Sequence, residues 1–460
     1  QYGKLPTWTA SANMYDKYIK SSAAARGVSR DRCWRPSSRC GVSLSFFRNF
    51  LATRVNQAWL DDDLTTGDMV KDVVYGECRI SKCRYVDFPA LVPDWALSDP
   101  THYIIHAWDS RIGELLVMLQ DYFQGYSPDR IFLWLDIFAV CQVPSLTLFD
   151  LDLVREAMTR VPGEVIVMMD GKGHVTKRLW CLAEIYLALT LKGPSQVVVA
   201  FSGACKRNYI MRKIAELSLD RGVVRWPRDK PYLLKELTNT AVIAGDIAPL
   251  PPLPPPPPPD ELSSRRSSIF GLSSSAAPEH PPQVLEEHHR KLAASVDGLI
   301  KTFLFSQPCL SDRSFNQEAI YLRSLAEGTV WNWNPISSWL VDQTPSDPHY
   351  RMLLVTGDVG CGKSAAMASL MGKGLFAASI GFRRYLPSSL QVINLIRSLA
   401  IQLACCGVKQ VRQTVREAAV KLFGTLELML EEQSKYDESR SQMVADASAG
   451  LTLSATWMKG

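Results

Sequence analysis

Between residues 100 and 225 short apolar runs alternate with stretches of helical periodicity. Tyr103–Trp108 (YIIHAW), Ile131–Leu135, Val165–Met169 and Val197–Phe201 have the length and composition of strands buried on both faces. Between them, Ile112, Leu115, Leu116, Leu119 and Phe123 share one helical face. Leu151–Val161 and Tyr209–Leu219 also read as helices, and Lys177–Leu191 as a long, apolar-faced one. Strands alternating with helices predict a parallel sheet covered on both sides, an α/β domain. Ligands of such sheets lie outside the carboxyl ends of the strands. The pattern puts the polar residues His106, Trp108 and Asp136 there.

Elsewhere the pattern is weaker. Residues 1–64 read as a basic, poorly patterned arm in which Leu44–Leu60 is an amphipathic helix. Residues 65–90 read as a short helix entered through Thr66, then a loop, and 226–248 as one more helix. Ala248–Asp260 (APLPPLPPPPPPD) cannot enter a packed sheet or helix and predicts a polyproline spacer. A Ser-rich tract extends it into a linker over 245–283. An amphipathic helix is expected over 284–305, within a helical lead-in at 284–345. Trp331, Trp333, Ile336, Trp339 and Leu340 then crowd together as core, followed by a strand at Leu375–Phe382 and helices at Gln391–Leu403 and Val411–Glu432.

One motif carries chemistry by itself. Met352–Thr356 is a strand-like apolar run, Gly357–Ser364 (GDVGCGKS) fits GxxxxGK[ST], and small and apolar residues follow from Ala365. Glycines let backbone N–H groups close on phosphate oxygens, and the helix N-terminus adds unpaired donors. Gly357, Asp358, Val359, Gly360, Cys361, Gly362, Lys363, Ser364 and Ala365 are the expected nucleotide loop. Lys363 would meet the β- and γ-phosphates of ATP or GTP, and Ser364 would bind Mg²⁺. A working NTPase also needs an apolar strand ending in an acid. Only 96 residues follow Ser364, and Leu426–Glu432 reads as helix, so that acid is expected beyond the sequence. Gln1 at the start also suggests a piece of a longer chain.

Composition changes this picture little. A net charge of +5 over 460 residues leaves no nucleic-acid footprint. The excess sits in residues 1–40, with eight Lys or Arg against two Asp. Such an arm reads as a solvated, disordered segment, and also as an organellar transit peptide. No run of ~18 apolar residues predicts a membrane span. Eleven cysteines without framework spacing argue for reduced thiols and a cytoplasmic setting.

The segments WNWNPISSWL, LLVTGDVGCGKSA and LIRSLAIQLA resemble the start of a NACHT-type domain of the STAND signalling NTPases, nephrocystin-like members in particular. The first domain resembles the TIR fold family, through YIIHAW, FLWLDIFAVCQ and Arg178-Leu-Trp180-Cys181-Leu182-Ala-Glu184-Ile185. Fungal heterokaryon-incompatibility domains have a similar Trp-(Ile/Leu)-Asp strand and Arg-x-Trp…Glu segment. The sequence departs from TIR usage at His106-Ala107-Trp108, where Ser-Phe or Ser-Tyr is usual, and no acidic loop is recognisable in Val143–Asp150.

These resemblances imply an α/β architecture of two parts. A TIR/HET-like domain of flavodoxin type covers 65–230, and an incomplete NACHT-like P-loop domain covers 346–460. They imply a nucleotide-operated signalling switch. In NAD-cleaving TIR relatives the helix glutamate is catalytic, which falls on Glu184, with His106, Trp108, Asp136 and Trp180 as substrate-binding candidates. A carboxylate suits that chemistry, because cleaving nicotinamide from ribose passes through an oxocarbenium-like state. The alternative is a non-catalytic module in which the first domain self-associates and recruits protein partners while the P-loop only binds nucleotide.

Overall fold

The computed structural model describes residues 29–54, 64–143, 151–250, 282–307 and 392–425. The expected nucleotide loop 357–365, the Trp-rich entry 331–340, the strand expected at 375–382, the proline run from 251 onward and residues 144–150 lie outside the described residues. Strands β1 (Gly41–Ser43), β2 (Leu97–Ser98), β3 (His102–Ile105), β4 (Phe132–Trp134), β5 (Val165–Met169) and β6 (Val197–Phe201) form one mixed sheet. Their order is β2-β1-β4-β3-β5-β6.

The four parallel strands lie second, first, third, fourth, the doubly wound order that changes direction between β3 and β5. All five residues of β5 are buried, as a continuous VIVMM run requires of a strand covered on both faces. The register holds Tyr103 opposite Val165 and Val165 opposite Val197.

The fold reaches further toward the N-terminus than the pattern suggested. β1 pairs antiparallel with β4 and with β2, so residues 41–43 are part of the sheet. Gly41 is required there, because a Cβ would lie 2.6 Å from the Pro100 Cα. Helix α1 (Leu44–Arg54) follows directly. Its Phe46, Phe47 and Phe50 close around Phe138, and Phe50 also meets Tyr85 edge-on. Arg35 and Arg39, part of the basic excess, both pair with Asp99, at 2.5 and 2.7 Å. Arg84 donates to the carbonyls of Arg32 and Arg35 and pairs with buried Asp87 at 2.7 Å.

Helix α2 begins at Thr66–Met69, passes through a π-helical turn (Val70–Val74) and ends as Tyr75–Ser81. Thr65 rather than Thr66 caps it, in a reciprocal capping box with Asp68. Helices α3 (Ile112–Tyr122), α4 (Leu151–Arg160), α5 (Leu179–Lys192), α6 (Arg207–Glu216) and α7 (Asp229–Ile243) alternate with or follow the parallel strands.

The sequence LWCLAEIYLALTLK of α5 is apolar almost all round, and the helix is buried from Cys181 to Leu189. One side faces the sheet, and α4 and α7 cover part of the rest. The remaining cover comes from beyond the proline run. Helix α8 (Pro282–Ser306) packs on α5, α6 and α7. Its Asp297 accepts the Leu219 N–H at 2.8 Å, and Lys301 donates to the Ala215 carbonyl at 3.0 Å. Helix α9 (Val392–Ala404) packs on α8. A last helix, α10 (409–425), adds Phe423 edge-on to Phe305 at 5.7 Å. The helices flanking the P-loop sequence are thus docked on the first domain.

Placing 41–43 in the sheet makes a mutational prediction. Gly41→Ala should cost about 1–3 kcal/mol through overpacking against Pro100. Gly76→Ala, in open space on a helix, should be neutral or stabilising by about 0.4–1 kcal/mol. Urea unfolding midpoints of the two variants test this; equal effects would remove residue 41 from the sheet's close packing.

Candidate functional site

The polar residues expected at the strand ends do meet. His106 leaves the end of β3, and Asp136 opens a one-turn helix (Asp136–Ala139) after β4. The Trp108 indole donates to Asp136 Oδ2 at 2.9 Å. His106 Nε2 lies 3.7 Å from Asp136 Oδ1, beyond hydrogen-bonding distance, and both atoms are buried without a hydrogen-bond partner. Gln142 ties the loop down by donating to the Asp136 carbonyl at 2.9 Å. The cluster therefore sits at the carboxyl edge, beside the point where strand order reverses.

Glu184 approaches from the other side, on α5. It is only 7% exposed, and the Tyr103 hydroxyl donates to its Oε1 at 3.2 Å. Tyr103 is fixed in turn by stacking on Trp134, with ring centroids 4.6 Å apart. One turn earlier on α5, the Cys181 thiol donates to the His106 carbonyl at 3.4 Å. These contacts lock β3, its exit loop and α5 together.

Burial sets the charge states. Glu184 is held well above the usual carboxylate range by burial first and by the neighbouring Asp136 charge second; the Tyr103 hydrogen bond offsets only part. It therefore favours the neutral acid. Burial also raises Asp136, against the opposing pull of His106 and Trp108. Burial lowers His106 toward the neutral imidazole, although Asp136 pulls the other way. The cluster can thus give or take protons, with Glu184 as a donor. Stabilising a ribosyl cation would require Glu184 to ionise, and in this arrangement the carboxyl is closed off.

Trp180 is placed differently from His106, Trp108 and Asp136. Its single indole N–H donates to Asp229 Oδ2 at 3.1 Å, and its ring lies 6.3 Å from Tyr232. It fastens α5 to α7. Three participants escaped the sequence reading. Tyr103 lay inside an apolar run, and only its alternation toward the helix face could have marked it. Arg225 covers the Trp108 ring, 5.4 Å from its centroid, and no motif announces it. Arg178, read only as part of the TIR-like motif, pairs with Asp109 at 3.3 Å across the same edge.

Among the described residues no group of three or more His, Cys, Asp and Glu is placed to hold a metal ion. Nor is any described helix long and apolar enough to cross a membrane. A surface concavity of about 170 Å³, lined by Phe46, Phe50, Tyr85 and Trp95 among others, shares no residue with the carboxylate cluster. Compared with known protein families, curated proteins and solved structures, the chain finds no match.

The raised pKa of Glu184 links stability to pH. The folded chain holds this proton more tightly than the unfolded chain, whose glutamate titrates near ~4.3. Its contribution is complete below that pH and is lost as pH rises toward the folded value. Glu184→Gln keeps a neutral acceptor for Tyr103 and removes this loss. The variant should gain stability relative to the parent between pH 5 and pH 8, measured by urea unfolding. A constant difference across that range would mean that Glu184 is ionised in the fold.

Proposed function

We propose that this chain is a nucleotide-operated signalling switch of the STAND type. Gly357–Ser364 binds ATP or GTP with Mg²⁺, and the α/β domain is the effector that nucleotide state controls. The observation that carries this reading is the packing of α8, α9 and α10. These helices bracket the P-loop sequence in the chain, yet α8 packs directly on α5, α6 and α7, and α10 is tied by side-chain bonds to the turn after α7. A nucleotide-driven change between residues 307 and 392 would pull on elements that cover the effector's core. The two resemblances and the second-first-third-fourth parallel order support a TIR-type effector, which self-association would allow to recruit protein partners.

The test is nucleotide binding. Lys363 would contribute a charge-assisted contact to the phosphates. Its replacement in Lys363→Ala should weaken binding of Mg²⁺-ATP or Mg²⁺-GTP by about ten- to a hundredfold in titration calorimetry. Unchanged affinity for both nucleotides would sink the P-loop assignment.

A second reading concerns output. NAD cleavage would require the edge to open, so that Glu184, held against Tyr103 beside His106 and Asp136, ionises and meets the nicotinamide–ribose bond. On this reading the full-length chain releases nicotinamide from NAD, and Glu184→Gln lowers the rate at least about a hundredfold. Release that persists in Glu184→Gln would remove Glu184 from the chemistry and leave recruitment as the output.

A further inference from the structure

We infer that a charge cluster centred on Asp246 is a latch. Through it, the helices bracketing the nucleotide loop hold α5, and with α5 the Glu184 site, in the closed arrangement. This rests on the nucleotide-switch reading above and names the device that would carry it.

Asp246 follows the end of α7 and is 2% exposed. Gly245, at φ +69°, turns the chain so that the Asp246 N–H returns to the Ala241 carbonyl at 2.8 Å. The carboxylate is thereby placed on the turn after α7, between α5 and α10. Oδ1 accepts from Arg412 Nε at 2.8 Å, and Oδ2 pairs with Arg416 Nη1 at 2.7 Å. Oδ2 also accepts the Tyr186 hydroxyl of α5 at 2.7 Å. Both arginines of α10 are engaged further. Arg412 donates to the Ala244 carbonyl at 2.9 Å. Arg416 donates to the Ala404 carbonyl of α9 at 2.9 Å and to Ser295 Oγ of α8 at 2.8 Å. Gln413 adds a bond to the Asp246 carbonyl at 2.7 Å.

Burial alone would raise Asp246, but Arg416, Tyr186 and Arg412 outweigh it and hold the carboxylate ionised. A carboxylate shared by two buried guanidinium groups has few intermediate arrangements. Withdrawing one partner leaves charge uncompensated in a low-dielectric interior, so α10 is either seated or released. The crossing of α8 and α10 is also close, since a Cβ on Gly298 would lie 2.4 Å from the Arg416 carbonyl oxygen.

Tyr186 stands two positions after Glu184. In an α-helix that separation turns the side chains about 200° apart. One side chain reaches the latch and the other reaches Tyr103 of the sheet. Because α5 is buried and close-packed from Cys181 to Leu189, that stretch shifts as a rod rather than bending at one residue. Release at Tyr186 therefore frees the helix that keeps Glu184 shut against Tyr103. Two sites and a two-state element between them are what coupling requires.

The experiment is amide hydrogen exchange on the full chain, following residues 183–189 and 409–425. Tyr186→Phe removes a single hydroxyl from the latch. Gly298→Ala wedges α10 away without altering any charge. Each should speed exchange in both segments by about tenfold or more. Mg²⁺-ATP or Mg²⁺-GTP should do the same to the parent chain and not to Lys363→Ala. If the variants loosen 409–425 while 183–189 keeps its protection, the latch does not reach α5 and the inference is overturned. If the variants move both segments but neither nucleotide moves either, the latch stands and the nucleotide reading fails.

Discussion

The burial of α5 is the constraint on which the rest depends. A helix apolar on every side cannot lie on the surface of a sheet, as an ordinary crossover helix does, without a second layer over it. The sheet supplies one wall, α4 and α7 supply others, and α8 comes from beyond the proline run to close the last. That demand explains why helices far apart in sequence are packed together. It also explains why so much of the buried polar chemistry touches α5. Each polar group on the buried stretch of α5 must find a partner, and Cys181, Glu184 and Tyr186 find theirs in a strand exit, a strand and a distant turn.

Three enclosed carboxylates, Asp136 the least buried of them, illustrate how surroundings set charge. Glu184 meets one neutral hydroxyl and a like-charged neighbour, and keeps its proton. Asp136 has an indole donor and a distant imidazole, and burial still prevails. Asp246 has two guanidinium groups and a hydroxyl, and is ionised despite comparable enclosure. The first two are suited to proton transfer at the strand ends. The third is suited to mechanical hold, because an ion pair out of water resists gradual loosening.

Much of the fold was legible from pattern, and the reasons differ by element. Val165–Met169 and Val197–Phe201 have the bounds their apolar runs indicate, since interior parallel strands need no alternation. The helices from Ile112 to Ile243 fall within a few residues of their periodic stretches. β1 and β2 were not legible, because three- and two-residue strands carry no period and take their place from the Gly41–Pro100 approach. His106, Trp108 and Asp136 could be placed because strand ends collect ligands in such sheets. Tyr103 could not, because a tyrosine inside YIIHAW looks like core and is also core. Trp180 is a candidate through its ring, and its indole N–H donates to Asp229, a tie to α7 that no pattern announces. Asp246 stands in no motif. Its partners Arg412 and Arg416 lie more than 160 residues away, a pairing that only the folded chain displays.

The route of the chain has a consequence for inheritance of the α/β unit as a module. A domain that recombines freely carries its own core between its ends. Here the core of the α/β unit is completed by α8, after a run of prolines that looks like a border. A cut at residue 250 would strip α5 of one wall and leave a greasy strip facing water, an invitation to aggregation. The stretch that reads as a hinge between independent parts joins two halves of one hydrophobic interior. Duplication or exchange of this unit would have to carry α8 along, so the segments on either side of the proline run are bound to a shared evolutionary history.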